Sequence, residues 1–224
     1  MFELRDVKVD LQGLPILRDL ALKVPTGHVI GLVGRNGAGK TTTMRSIMGL
    51  VPLAGGTIRL DDTDLAALPA YERARSGIGY LPEDRRLIDS LTVEENLLVP
   101  AQAFGRRNVR GDLEAIYTML PEVAQTADRK AAVLSGGQQK FVALARSFVN
   151  GTRLLLLDEP FEGVSTALSR RLAQVVHDYR ERNEGLSVLV AESDLKRAAM
   201  LTDMAYIIER GEIIDLTSID KVRL

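Results

Sequence analysis

The sequence contains no cysteine and only two histidines. The first absence excludes a disulfide framework, a thiolate nucleophile and a Cys-ligated metal centre, and it is compatible with a reducing compartment. No run of like charges stands out, and 29 basic residues are balanced by 30 acidic ones. The basic face or tail of a nucleic-acid binder is therefore missing, and no nucleic-acid partner is expected. No window approaches the ~18 uninterrupted apolar residues of a membrane span. The opening Met1-Phe2-Glu3-Leu4-Arg5-Asp6 lacks the charged-then-apolar pattern of a signal peptide. The expectation is a soluble chain that reaches any membrane through partners. Internal repeats and low-complexity stretches are also absent.

What is present is enough apolar material for a sizeable core: 46% of the 224 residues are hydrophobic. That suits one domain, or one domain with a subdomain. The most informative stretch is Gly34-Arg35-Asn36-Gly37-Ala38-Gly39-Lys40-Thr41, followed by Thr42. It lies between an apolar run over 28–33, which reads as a buried strand, and a helical pattern over 42–50 that ends near Gly49. In this G-x-x-x-x-G-K-[ST] arrangement the glycines let backbone N–H groups turn inward around a di- or triphosphate. Lys40 supplies a point charge to the outer phosphates, Thr41 offers a hydroxyl to Mg2+, and the helix N-terminus adds its dipole. A turn that merely joins a strand to a helix needs the glycines but not Lys40 and Thr41.

Residues 2–9 and 20–24 alternate apolar and polar as half-buried strands do, with Pro25-Thr26-Gly27 as a turn before the central strand. They are expected to form an antiparallel flap on the nucleotide-binding core. After the P-loop helix come strand 57–60, the Asp61-Asp62-Thr63-Asp64 turn, short helix 69–75 and buried strand 77–81. From Pro82 to Leu134 the character changes. Thr92-Val93-Glu94-Glu95 has capping-box spacing and opens a helix through Ala103. Arg106, Arg107 and Arg110 lie in a Gly-flanked loop that reads as solvated, and a second helix covers 112–120. With no strand in it, 82–134 is expected to be a helical subdomain inserted into a core made of 1–81 and 135–224, within a single domain of 1–224.

Leu134-Ser135-Gly136-Gly137-Gln138-Gln139 leads into a helix through Val149. An S-x-x-Q capping box accounts for Ser135 and Gln138. It does not account for two glycines in the first helical turn, each costing roughly 1 kcal/mol against Ala in a helix interior. Close approach of a phosphate to that N-terminus would. Next, 153–157 reads as a fully buried strand running straight into Asp158-Glu159-Pro160. At the C-terminal end of a parallel strand beside a P-loop, Asp158 is placed to hold Mg2+ and Glu159 to polarise an attacking water. Helix 166–182, strand 186–191, helix 194–201 and a hairpin of 204–209 with 212–216 about Gly211 complete the pattern. Strands alternating with helices make a mainly parallel α/β sheet.

The P-loop, the Leu134-Ser135-Gly136-Gly137-Gln138 signature, the Asp158-Glu159 strand end and the Phe161-Glu162-Gly163-Val164-Ser165 turn stand in a fixed order. Together they resemble the ATP-binding-cassette (ABC) family, over nearly the whole chain. The resemblance implies a P-loop NTPase cassette with ATP and Mg2+ as ligands, two cassettes sandwiching two ATP molecules head to tail, and Ser135, Gly136, Gly137 and Gln138 meeting the γ-phosphate on the partner. It also implies membrane permease subunits moved through the region 83–98, a separate solute-binding protein, and a peripheral position on the cytoplasmic face of the inner membrane. Within the family the chain looks most like the small ATPase subunit of importers for branched-chain amino acids, or for urea and amides. The carriers of that narrower likeness are the segments 79–86 and 91–97 together with Pro160-Phe161-Glu162-Gly163. A soluble ABC ATPase without a transporter, such as an assembly factor, would share the P-loop and signature.

Three positions depart from the family pattern. Where an aromatic usually stacks on adenine, the chain has Leu11-Gln12-Gly13, which places Gln12 at the nucleotide. The glutamine that joins Mg2+ and the attacking water appears as Glu83, so Thr41, Glu83 and Asp158 form the expected metal set. The histidine that touches the γ-phosphate appears as Ser193, which has neither the reach nor the possible charge of imidazole. His28 starts the strand whose far end carries the P-loop, ~20 Å away. His177 lies in a helix leading away from Glu159, roughly 15 Å or more off. Neither replaces the histidine missing at Ser193, and the expectation is a slow catalytic site in this chain, paired with a second cassette in a heterodimer or homodimer.

Overall fold

The computed structural model describes residues 1–105 and 109–219. Arg106 and Arg107 of the basic cluster lie outside the described residues, and Arg110 opens a helix rather than sitting in a loop. Among the described residues, ten strands form two sheets. The larger has the order β10-β9-β3-β8-β7-β6, built from β3 (Val29–Val33), β6 (Ile78–Leu81), β7 (Leu154–Asp158), β8 (Ser187–Glu192), β9 (Met204–Glu209) and β10 (Glu212–Ser218). All of its pairings are parallel except β10 on β9. The smaller is antiparallel, in the order β2-β1-β4-β5: β1 (Phe2–Leu11), β2 (Leu14–Val24), β4 (Gly55–Leu60) and β5 (Thr63–Asp64).

The four-leucine run of β7 is buried at every residue, because the sheet is covered on both faces. Its side chains alternate between two apolar clusters. Leu155 and Leu157, with Val188 and Val190 of β8, pack among the helices. Leu154 and Leu156, with Leu189, pack toward the smaller sheet and the P-loop helix α1 (Lys40–Ile47). Uninterrupted hydrophobicity is what a strand needs when neither face meets water.

The smaller sheet is longer than the alternation implied. Leu11 pairs with Leu14 across a two-residue turn, Gln12-Gly13, with φ of 51° and 80°. Positive φ at both central residues matches the right-handed twist of the flanking strands, so β1 and β2 run to the tip of the hairpin. Pro15 is tolerated because β2 is an edge strand.

Between the smaller sheet and β6 lies α2 (Ala70–Arg75), and residues 82–134 carry α3 (Val93–Ala103), α4 (Arg110–Met119), α5 (Pro121–Ala124) and a short 3-10 turn over Ala131–Val133, with no strand among the described residues. The Thr92 hydroxyl accepts from the Glu95 N–H and the Glu95 carboxylate accepts from the Thr92 N–H, closing the capping box that starts α3. Buried Asn96 ties the preceding loop to that helix: its Oδ1 accepts from Ile88 N–H, and its amide donates to the Ile88 and Thr92 carbonyls. These helices bury Leu97, Leu113 and Ile116 in the same cluster as Phe141 and Leu144 of α6 (Gly136–Asn150) and Leu172 of α7 (Thr166–Arg182). The last helix, α8 (Leu195–Ala198), is shorter than the expected 194–201; Asp194 caps it by accepting from Lys196 N–H.

Candidate nucleotide site

Register brings the chemistry-bearing residues to one edge of the parallel sheet. Val33 lies beside Glu192, and Asp158 beside Ala191. The ends of β3, β8 and β7 therefore set Gly34, Glu192 and Asp158 in a row, fastened by Gly34 N–H to the Glu192 carbonyl (3.2 Å) and Glu159 N–H to the Ala191 carbonyl (3.0 Å). Ligand clefts in open α/β sheets form at this carboxyl edge.

From β3 the chain turns through a loop in which Gly37 and Gly39 have φ of 82° and 112°. A β-carbon on Gly34 would collide with the Ile208 carbonyl oxygen, so this glycine lets the loop lie against β9. Arg35 and Ala38 shape the loop through backbone bonds: the Arg35 carbonyl accepts from Ala38 N–H, and the Ala38 carbonyl from Gly211 N–H. The loop enters α1 at Lys40, two residues earlier than the apolar pattern suggested. The leading N–H groups of a helix have no carbonyl to bond within it. Here they belong to Lys40, Thr41 and Thr42, all of which line a cleft of about 380 Å3 together with Asn36, Gly37 and Gly39.

Lys40 is buried, with its ammonium 2.8 Å from the Gly34 carbonyl, 3.3 Å from that of Arg35 and 3.1 Å from Glu159 Oε1. Thr41 Oγ1 donates to Asp158 Oδ1 at 3.2 Å, and Tyr80 OH donates to Asp158 Oδ2 at 3.3 Å. Burial pushes the Asp158 carboxyl up to about 6, against the lowering effect of the Thr41 bond. A dication would reverse that penalty. The hydroxyl of Thr41 and the carboxylate of Asp158 are hard oxygen donors meeting at the lip of the loop, which suits Mg2+. The loop's geometry suits a polyphosphate in the cleft.

Glu83 also lines this cleft, held there from behind. Arg146 of α6 donates from both terminal nitrogens, to the Arg85 and Arg86 carbonyls at 2.8 Å each, fixing the loop that follows Glu83. Burial raises the Glu83 carboxyl above the usual range, and the neighbouring Glu162 and Glu159 raise it further. Three carboxylates, Glu83, Glu159 and Glu162, thus face one cleft.

Two expectations change. Gln12 occupies the hairpin turn and is not among the cleft-lining residues; the side chains that reach the cleft from the hairpin are Leu11 and Ile16. An aliphatic wall therefore stands where the sequence placed a polar one. The paired glycines of the signature have neighbours inside the chain: a β-carbon on Gly137 would lie 2.9 Å from Leu168 Cδ2, and one on Gly136 3.2 Å from Arg85 Nη1. Ser135 and Gln138 close a reciprocal capping box at 3.3 and 3.0 Å. Ser135, Gly136, Gly137 and Gln138 do not line this chain's own cleft; Ser135 and Gly136 are exposed at the N-terminus of α6. Ser193 is half-buried and does not line the cleft.

Sequence reasoning missed Tyr80, Glu162, Lys140 and Glu192. Lys140 was the most conspicuous in principle, being a cation on the apolar side of a helix between buried neighbours. Glu192 is fully buried, and its Oε1 accepts from Phe161 N–H at 3.1 Å. Burial pushes its carboxyl up from 4.5 to about 7. A group whose folded pKa is raised contributes stability that is fully present below its unfolded pKa and is lost as pH rises to the folded one. Relative to a Glu192→Gln variant, the wild type is therefore expected to lose about 3 kcal/mol as pH rises from 4.5 to about 7, and nothing further above that. Urea unfolding of both proteins across that range measures the difference, and a pH-independent gap would refute it.

The profile of the family described as ABC transporter matches residues 17–162. The lipopolysaccharide export system ATP-binding protein LptB of Escherichia coli (strain K12) is 34% identical over 211 residues, covering 91% of this chain and 84% of that protein. The high-affinity branched-chain amino acid transport ATP-binding protein BraG of Pseudomonas aeruginosa is 31% identical over 198 residues, covering 88% and 84%. A solved structure titled as the ATP-binding subunit of an ABC transporter has a TM-score of 0.85 at 26% identity, covering 100% of this chain and 92% of that one. The dimeric ATP-binding cassette MJ0796 bound to ADP and Pi has a TM-score of 0.86 at 23% identity, covering 98% and 99%, which speaks to the fold alone.

Proposed function

The chain belongs to the ABC transporter family and is an ATP-hydrolysing subunit that works with a membrane permease, and from that premise we propose how its residues divide the work. The observation that carries the reading is the pair of contacts Lys40–Glu159 and Thr41–Asp158: Lys40, Thr41 and Glu159 line one cleft, Asp158 lines the adjoining pocket with Thr41 and Glu83, and the exposed signature lines neither. Lys40 and the leading N–H groups of α1 bind the phosphates of ATP. Thr41 and Asp158 hold Mg2+, with Glu83 beside them; the ion, when bound, neutralises phosphate charge. Glu159 orients the attacking water and accepts its proton. Leu11 and Ile16 give the base an apolar wall. A single cleft leaves the γ-phosphate open on one side, so the exposed Ser135 N-terminus of α6 serves the nucleotide of a second cassette.

No helix among the described residues is long and apolar enough to cross a membrane. From the family, not from that absence, we infer a peripheral position on the cytoplasmic face, docked on separate permease subunits. For the solute, the segments 79–86 and 91–97 favour a branched-chain amino-acid importer with a separate solute-binding protein, and the relative BraG is named for that transport. LptB is named for lipopolysaccharide export, which makes an envelope lipid the second reading. Affinity capture of the chain from detergent-solubilised membranes, with mass spectrometry of what accompanies it, decides. Permease subunits with a solute-binding protein support the importer; permease subunits with lipid-transport components support the exporter. Soluble partners alone would overturn both.

The cleft also favours a slow site. Three carboxylates face the place of a polyanion, and Ser193, which does not itself line the cleft, takes the sequence position at which the family pattern has a histidine. Ser193→His is expected to raise turnover of the assembled complex by about tenfold, the value of roughly 1.4 kcal/mol in the barrier. No gain, combined with a large loss from Glu159→Gln, would show that this site is already fast.

A further inference from the structure

Lys140 is a buried cation that phosphate binding does not use. Only 1% exposed, it sits on α6 and donates from Nζ to the Glu159 carbonyl oxygen at 2.8 Å. That carbonyl belongs to a strained residue. Glu159 has φ of 47°, in the left-handed region that residues with a side chain rarely enter. Such a conformation persists only where the surroundings hold it. The Ala191 carbonyl takes the Glu159 N–H, while Lys140 and the Glu162 N–H (3.2 Å) both donate to the Glu159 carbonyl. Two residues further on, Glu192 Oε1 accepts from Phe161 N–H, and the buried Oε2 of Glu192 has no hydrogen-bond partner among the described residues. Lys140 and Glu192 thus hold the same turn at its two ends, one donating to the Glu159 carbonyl and the other accepting from Phe161 N–H.

The geometry points to Lys140 as a positioning residue for ATP hydrolysis: by holding the Glu159 carbonyl it fixes the left-handed turn that aims the Glu159 carboxylate into the cleft. This rests on the reading of Glu159 as the base. An apolar side chain at 140 would fill the space but leave the carbonyl without its charged donor and the turn free to relax. Because α6 also presents Ser135 at its N-terminus, the bond ties the signature face to this chain's own hydrolytic turn. A lysine that merely stabilised the fold would act on folding and on nucleotide binding together. A positioning lysine acts on the chemical step.

The test is steady-state hydrolysis by the assembled transporter carrying Lys140→Met, Lys140→Arg, Glu159→Gln and the Lys140→Met/Glu159→Gln pair, with nucleotide binding to each isolated chain. Displacing a catalytic group by about 1 Å can cost on the order of 10²-fold, so K140M is expected to lower kcat by that order while KM for ATP moves by less than about threefold. K140R, which keeps charge and donor, is expected to recover most of the rate. The pair is expected to be no slower than E159Q alone, because one effect passes through the other. Unchanged kcat in K140M, or losses that multiply in the pair, would overturn the assignment. A normal rate in E159Q would instead remove the base reading on which it rests. If K140M does not fold, K140Q, with a shorter neutral donor, takes its place in the same comparison.

Discussion

Glu159→Gln is expected to lower ATP turnover by on the order of 10²- to 10⁴-fold while leaving nucleotide affinity intact or improved. The substitution keeps the shape of the side chain and removes only its basicity. The backbone that aims it is held by the Ala191 carbonyl and by Lys140, neither of which depends on the carboxylate. Affinity is expected to hold because the carboxylate spends the nucleotide-free state paired with Lys40 at 3.1 Å. A neutral amide competes less for that ammonium and adds no negative charge beside the phosphates. Phosphate release by the assembled complex gives the rate, and titration of the isolated chain with a fluorescent nucleotide gives the affinity. A loss of less than about tenfold would mean that proton transfer to Glu159 is not what limits hydrolysis.

The parts of this site that were legible in the sequence are those whose chemistry demands a particular residue at a particular spacing. Lys40 and Thr41 follow their glycines by rule, and Asp158 and Glu159 follow a short leucine run that reads as a strand covered on both faces and is one in the structure. The parts that were not legible are made by contacts across the chain. Lys140 meets Glu159 through the packing of α6 beneath the sheet edge, and Glu192 meets Phe161 through strand register. Local spacing carries neither. The signature glycines show the reverse problem: an inferred ligand explained them, yet Leu168 and Arg85 already approach both positions within the chain. The hairpin misled for a third reason. The family position of the adenine-stacking aromatic sets Gln12 against the nucleotide, whereas Gln12-Gly13 is the two-residue turn of the hairpin itself. Once both φ values are positive, Leu11 and Ile16 fall on the cleft side.

Lys40→Met is expected to have two effects with different partners, and a double substitution separates them. The first falls on the nucleotide. Losing a charged donor to phosphate removes about 1.5–3 kcal/mol, which corresponds to roughly 10- to 10²-fold in affinity. A larger loss in turnover is expected where charge builds on the phosphate oxygens. The second falls on the nucleotide-free protein. Lys40 and Glu159 are both buried, with side chains 4% and 9% exposed, so removing the ammonium strands a carboxylate. Breaking a buried pair from one side costs about 3–5 kcal/mol in well-enclosed cases. The cleft admits water to this pair, so the lower end of that range is expected. Adding Glu159→Gln to Lys40→Met neutralises the stranded charge and should restore much of the lost stability while restoring none of the nucleotide affinity. Urea unfolding without nucleotide, run over the two single variants and the pair, gives the coupling directly. Additive destabilisation would show that the two groups do not depend on one another. A coupling above about 1 kcal/mol would show that Lys40 and Glu159 support one another in the nucleotide-free protein, so that a phosphate drawing on Lys40 does so in competition with an internal partner.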